Sequence, residues 1–139
     1  MEQAFWTVIT GTLVFSLGKI FESACIQPFI SYKKVIGEIT DQLIFYAQAY
    51  TSKNVKKELH DEASETFRKS AGRLQVYYNL VDWISLFGWF VPSRKDVDKA
   101  TGDLIGLSNA TPPRDSEATD NATRANSIRK LLKIKYYGA

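Results

Sequence analysis

The chain has 139 residues, 45% hydrophobic and 24% charged, with a formal net charge of +3. That length holds one ordinary domain, and the charge is too mild to argue for nucleic acid by itself. A single cysteine, Cys25, and a single histidine, His60, exclude an intramolecular disulfide framework and a closed Cys/His zinc site within one chain.

From Ala4 to Gly18 no side chain is ionisable, and beyond Lys19 the apolar run continues through Ile20 and Phe21. As a helix, Gln3 to Phe21 is about 28 Å long at about 1.5 Å per residue, against a hydrocarbon core of about 30 Å. The expectation is a transmembrane segment over residues 1–22, with Trp6 as an interfacial aromatic. Lys19 fits at its end, because the apolar stem lies along the helix while the ammonium reaches the head groups. At this borderline length a buried helix of a soluble bundle is the alternative. A cleaved signal peptide would need a positive n-region and a small-x-small site, whereas Glu2 is the only charge before the run. A lipoprotein signal would need an aliphatic residue where Glu22 stands before Cys25, so cleavage is not expected. Lys19, Lys33 and Lys34 follow the run and no Lys or Arg precedes it. The positive-inside rule then puts the N-terminus out and the remainder in the cytoplasm.

Pro28 predicts a juxtamembrane kink or break over residues 23–30, since proline removes a backbone donor and crowds the preceding turn. Tyr32, Val35, Ile36, Ile39, Leu43, Tyr46 and Tyr50 then recur at helical spacing, predicting a helix over 31–50. A loop at 51–54 leads to a second helix over 55–80, with Leu59, Ala63, Phe67, Ala71, Leu74 and Tyr78 as its inner stripe. Its early part is densely charged and reads as a solvated face. His60 falls in it, with no recognisable nucleophile or orienting partner.

Residues 81–91 (VDWISLFGWFV) carry Trp83, Phe87, Trp89 and Phe90 in a run too short to span. Three readings stand: a short helix in the core, an anchor in the head-group layer, or an exposed partner site. Ser93 is a good N-cap, with Asp96 three residues on, for a third helix whose core face is Val97, Ala100 or Thr101, Leu104 or Ile105, and Leu107 or Ser108. Gly102 and Gly106 permit close helix approach. Residues 110–116, with paired prolines, form a linker, and a last helix is predicted over 116–136. Its second half is basic, through Arg124, Arg129, Lys130, Lys133 and Lys135, and these cations suit contact with an anionic leaflet. Asn109 and Asn121 open glycosylation sequons, which a cytoplasmic domain would never present to that machinery.

No phosphate-binding glycine loop, dinucleotide fingerprint or nucleophile elbow occurs, so no catalytic residue, metal or cofactor is expected, nor an enzyme. Four blocks, Lys34-Val-Ile-Gly-Glu-Ile39, Leu43-Ile-Phe-Tyr-Ala47, Val91-Pro-Ser93 and Leu104-Ile-Gly-Leu-Ser-Asn109, resemble those of small uncharacterised bacterial proteins with one N-terminal span and a helical cytoplasmic tail. The resemblance implies a bacterial inner-membrane location and a helical bundle, and brings no activity or site.

The fold expected is all-α: one N-terminal transmembrane helix, then an antiparallel bundle of about four helices over residues 31–139. Its core should contain Ile36, Ile39, Leu43, Tyr46, Phe67, Leu74, Tyr78, Trp83, Leu104 and Leu132. The function expected is a membrane-anchored helical interaction or sensing module without catalytic chemistry. Membrane or partner contact falls to Trp6, Lys19, Trp83, Phe87, Trp89, Phe90, Lys130, Lys133 and Lys135. The partners expected are the lipid bilayer and either a protein or a second copy held through the span; nucleic acid is not expected. Two alternatives remain. One is a self-assembling membrane effector or pore component, using the small-residue face of Thr7, Gly11 and Gly18. The other is a soluble helical bundle in which residues 4–21 are buried.

Overall fold

An apolar run free of proline and β-sheet alternation forms helix α1, Glu2–Phe21. It opens the computed structural model, which describes residues 2–83, 91–114 and 116–134. Every regular element among the described residues is helical: α2 is Gln27–Phe45, α3 Ala47–Thr51, α4 Lys57–Val81, α5 Arg94–Asn109 and α6 Glu117–Leu131. Within α1 the Thr7 and Thr12 hydroxyls donate to the Gln3 and Val8 carbonyls at 2.8 and 2.9 Å, which satisfies them without solvent.

Pro28 does not break the chain. The helix runs unbroken from Glu2 to Phe45, passing through one π-helical turn at Glu22–Ile26 in which the Gln27 N–H donates to the Glu22 carbonyl. The wider turn absorbs the donor that proline lacks and relieves its crowding of the turn before it. Consequently α2 starts at Gln27 rather than near residue 31. It stops at Phe45 because Tyr46 leaves helical geometry (φ −91°, ψ 16°), and the short α3 follows. At the other end α6 finishes at Leu131, short of the expected residue 136. Lys133 turns to φ 54°, and the Lys133 and Ile134 N–H groups donate to the Lys130 and Arg129 carbonyls at 3.2 and 2.9 Å. These two bonds form a Schellman cap.

The contacts between helices descend in register. Tyr32 meets Tyr78 with ring centroids 6.0 Å apart, Glu38 pairs with Arg73, Gln42 accepts from Ser70, and Tyr46 donates to Glu62 at 2.8 Å. From α4 to α5 the partners are Asp82 with Arg94 (2.6 Å), Gln75 with Asp98 (3.1 Å) and Ser64 with Ser108. Thus α4 lies against both α2 and α5, and α6 packs on α5. Phe67 sits between the rings of Tyr46 and Tyr50, each 5.9 Å away. Around it Ile39, Leu43, Leu74, Tyr78, Leu104 and Leu132 are buried as expected, while Ile36 is only partly covered. Trp83 departs from the expected core: it remains 46% exposed, because Leu74, Tyr78 and Val81 make the inward stripe and Trp83 falls off it.

Asn121 closes the far end of this domain. It is fully buried, and its side-chain amide donates to the Tyr50 and Ala110 carbonyls at 2.9 Å each, while its oxygen accepts from Arg124 at 3.1 Å. One side chain therefore ties the end of α3 and the C-cap of α5 to α6. The sequon asparagine is a structural crosslink. Replacing Asn121 with Ala orphans two buried acceptors at a cost of about 1–3 kcal/mol each at most, so thermal unfolding should fall by several degrees or more. The glycines of α5 separate in the same assay. A methyl at Gly102 meets nothing within 4 Å, whereas at Gly106 it would come within 3.2 Å of Arg124 Nε. Gly102→Ala should therefore stabilise by about 0.5–1 kcal/mol, and Gly106→Ala should give less.

Candidate functional site

No residue of α1 is buried. Phe5, Trp6, Val8, Leu13, Val14, Phe15, Leu17, Ile20 and Phe21 all present most of their surface, an exposed apolar stretch of the kind that marks a contact site. By length and composition the helix is able to cross a membrane. Trp6 stands edge-on to Phe5, with centroids 6.2 Å apart, and with Thr7, Thr10, Gly11 and Val14 it lines a shallow groove. Lys19 pairs with Glu22 at 2.9 Å, one turn on and at the start of the π turn, so charge first appears as a neutralised pair. Cys25 is a half-covered free thiol on that turn.

The domain's other candidates divide by location. Trp83 lies just past the end of α4, exposed, with its Nε1–H donating to the Leu80 carbonyl at 3.2 Å; Val76 and Leu80 are exposed near it at helical spacing. Phe87, Trp89, Phe90 and Lys135 lie outside the described residues. Lys130 and Lys133 line an open cleft between α5 and α6, together with Asp96, Lys99, Thr123, Asn126 and Ser127. Lys99 escaped the sequence reading. Nothing local marks it, because only the register of α5 against α6 brings it beside Lys130.

Between these features Arg94 forms a rigid fork. Its Nε and Nη2 donate to Asp82 Oδ2 at 3.1 and 2.6 Å, Nη2 also reaches Asn79 Oδ1 at 3.1 Å, and its guanidinium lies 5.7 Å from the Tyr78 ring centre. The Asp82 carboxylate raises the Arg94 pKa further above its already high value. Burial, followed by the nearby Tyr78, likewise pushes the Tyr32 phenol well above the usual tyrosine range. Neither group titrates near neutrality.

His60 is not on a solvated face. It is 4% exposed, in register with the inward-facing Ala63 and Phe67, and neither ring nitrogen bonds a protein group among the described residues. Among those residues no three His, Cys, Asp or Glu side chains cluster as metal ligands would. Comparison with protein-family models, curated proteins and solved structures finds no match to this chain.

Lys133 offers a direct test of the cleft's geometry. Its left-handed backbone costs a side-chain-bearing residue about 1 kcal/mol that glycine does not incur. Lys133→Gly should therefore raise the unfolding midpoint modestly while leaving the α6 cap intact, read by thermal denaturation and by hydrogen exchange at Ile134.

Proposed function

We propose that this chain is a single-span membrane protein whose helical domain serves as an interaction or sensing module without catalytic chemistry. In this reading α2, α4, α5 and α6 form an antiparallel four-helix bundle held in the cytoplasm, with the N-terminus outside a bacterial inner membrane. The observation that carries it is the contrast between α1, wholly unburied and apolar, and a domain whose core is complete without it. Orientation rests on Lys19, Lys33 and Lys34 following the span with no cation before it. The bacterial setting rests on the resemblance of the four sequence blocks. Contact with a partner is supported at the end remote from α1, where Ile44 and Phe45 are 51% and 69% exposed.

A second reading, self-assembly through the span, is favoured by one observation: the groove at Trp6, Thr7 and Gly11, where a methyl on Gly11 meets nothing within 4 Å. The soluble alternative needs something to cover α1, since none of the described residues does. Alkaline carbonate extraction tests the anchored reading: the full chain should stay in the membrane pellet, and release to the supernatant would overturn it. Cross-linking within the same membranes separates the two membrane readings. A monomer indifferent to Gly11→Leu fits the tethered module, whereas an oligomer lost on Gly11→Leu assigns assembly to the span.

A further inference from the structure

Features far apart in sequence converge on one end of the domain, the end that joins α1. Because the helix is continuous from Glu2 to Phe45, position along it measures height above the span. At about 1.5 Å per residue, Tyr32 stands about 16 Å beyond Phe21. Tyr32 meets Tyr78, and α4 runs back from there, so Trp83 returns to about 9 Å beyond Phe21. A head-group layer is roughly 5–8 Å deep, which puts the exposed indole within reach of it. By the same rise Leu80, 51% exposed, and Ile30, 53% exposed, stand at about 14 Å, just above the indole.

The charges follow. Arg94 is fixed to Asp82, so α5 begins at this end, and Lys95 is exposed on its first turn. The cleft that holds Lys99 with Lys130 and Lys133 lies near the Tyr32–Tyr78 level, since Gly106 against Arg124 sets the register of α5 on α6. Among the described residues Asp96 is the one carboxylate lining that cleft. By contrast Glu58, Asp61, Glu62, Glu65, Glu117 and Asp120 gather at the opposite end, near the starts of α4 and α6. Lys53, Lys56, Lys57 and Arg114 stand at that same end and largely balance them. The end towards α1 carries Lys33, Lys34, Arg94, Lys95, Lys99, Lys130 and Lys133 against Glu38, Asp82, Asp96 and Asp98, so the domain's excess of positive charge lies towards α1.

We infer that this end of the domain is a docking surface for the anionic face of the bilayer that α1 crosses. Trp83 meets the head groups, with Leu80 and Ile30 just above it, while Lys99, Lys130 and Lys133 stand higher and act on the lipid phosphates from about a Debye length away. The inference rests on the anchored reading. The bilayer is the occupant because α1 delivers the surface to it covalently, at the right height, and with complementary charge. A basic residue near such a leaflet is worth about 1 kcal/mol, within a Debye length of about 8 Å.

The test uses the full chain, with Cys25→Ser and a single fluorescent label at Leu80→Cys, Asn54→Cys or Val14→Cys. It is reconstituted in vesicles of phosphatidylcholine alone or mixed equally with phosphatidylglycerol. In mixed vesicles a head-group nitroxide should quench the Leu80 label several-fold more than the Asn54 label. That excess should shrink in high salt, in phosphatidylcholine alone, and when Lys99, Lys130 and Lys133 become glutamine. Equal quenching at Leu80 and Asn54, while Val14 stays protected from aqueous iodide, overturns the docking surface and leaves the span. An excess indifferent to lipid charge also overturns it. Iodide access at Val14 overturns the anchored reading itself, and the docking surface with it.

Discussion

The bond from the Gln27 N–H to the Glu22 carbonyl is the constraint on which the rest of the arrangement depends. Proline at position 28 would ordinarily end a helix or leave a hinge. A single π turn removes the conflict, and α1 passes into α2 as one rod. A hinge would let the domain take any attitude to α1. A rod fixes which end of α2 is near and which is far, and every helix that packs on α2 inherits that polarity.

Helix α4 distributes it. It lies between α2 and α5, and its contacts with both descend in register, from Tyr78 against Tyr32 to Glu62 against Tyr46 on one side, and from Asp82 against Arg94 to Ser64 against Ser108 on the other. Antiparallel neighbours bring the end of one helix beside the start of the next, so Trp83, Arg94 and Lys133 gather although the sequence spreads them widely. The aromatic cluster of Tyr46, Tyr50 and Phe67 and the amide of Asn121 do the equivalent work at the far end. The Asn121 amide there satisfies the Tyr50 and Ala110 carbonyls at two helix ends, which would otherwise be orphaned.

Much of this was legible from the residues. The apolar run, the α2 stripe and the Ser93 cap on Asp96, observed at 3.2 Å, all follow from period and capping chemistry. The failures share a cause: composition was read where period should have decided. His60 sits in a charged stretch, yet it is three residues before Ala63 and seven before Phe67, on the inward face. Asn121 precedes Ala125, Ile128 and Leu132 at helical spacing and is buried with them. Trp83 is large and apolar, but lies off the line of Leu74, Tyr78 and Val81. The π turn was beyond reach, because a proline's local chemistry predicts a disturbance without saying whether the helix survives it. The cleft was beyond reach for another reason: Lys99 joins Lys130 only through tertiary register.

Polarity of charge matters more in a tethered domain than in a free one. A soluble protein with three useful lysines would bind an anionic surface weakly, since most of about 3 kcal/mol of attraction goes into overcoming the cost of association. A covalent anchor removes most of that cost in advance. The same few kilocalories then act on an equilibrium between two attitudes of one domain, where about 1.4 kcal/mol is a tenfold change in population. Such a balance responds to salt and to lipid charge, and because the rod does not bend, moving it tilts α1 and the domain together and so shifts the exposed Ile44 and Phe45 at the far end relative to the bilayer. On the anchored reading, a domain without catalytic chemistry thereby has a physical means of sensing: the leaflet sets its attitude, and its attitude sets what the far end can meet.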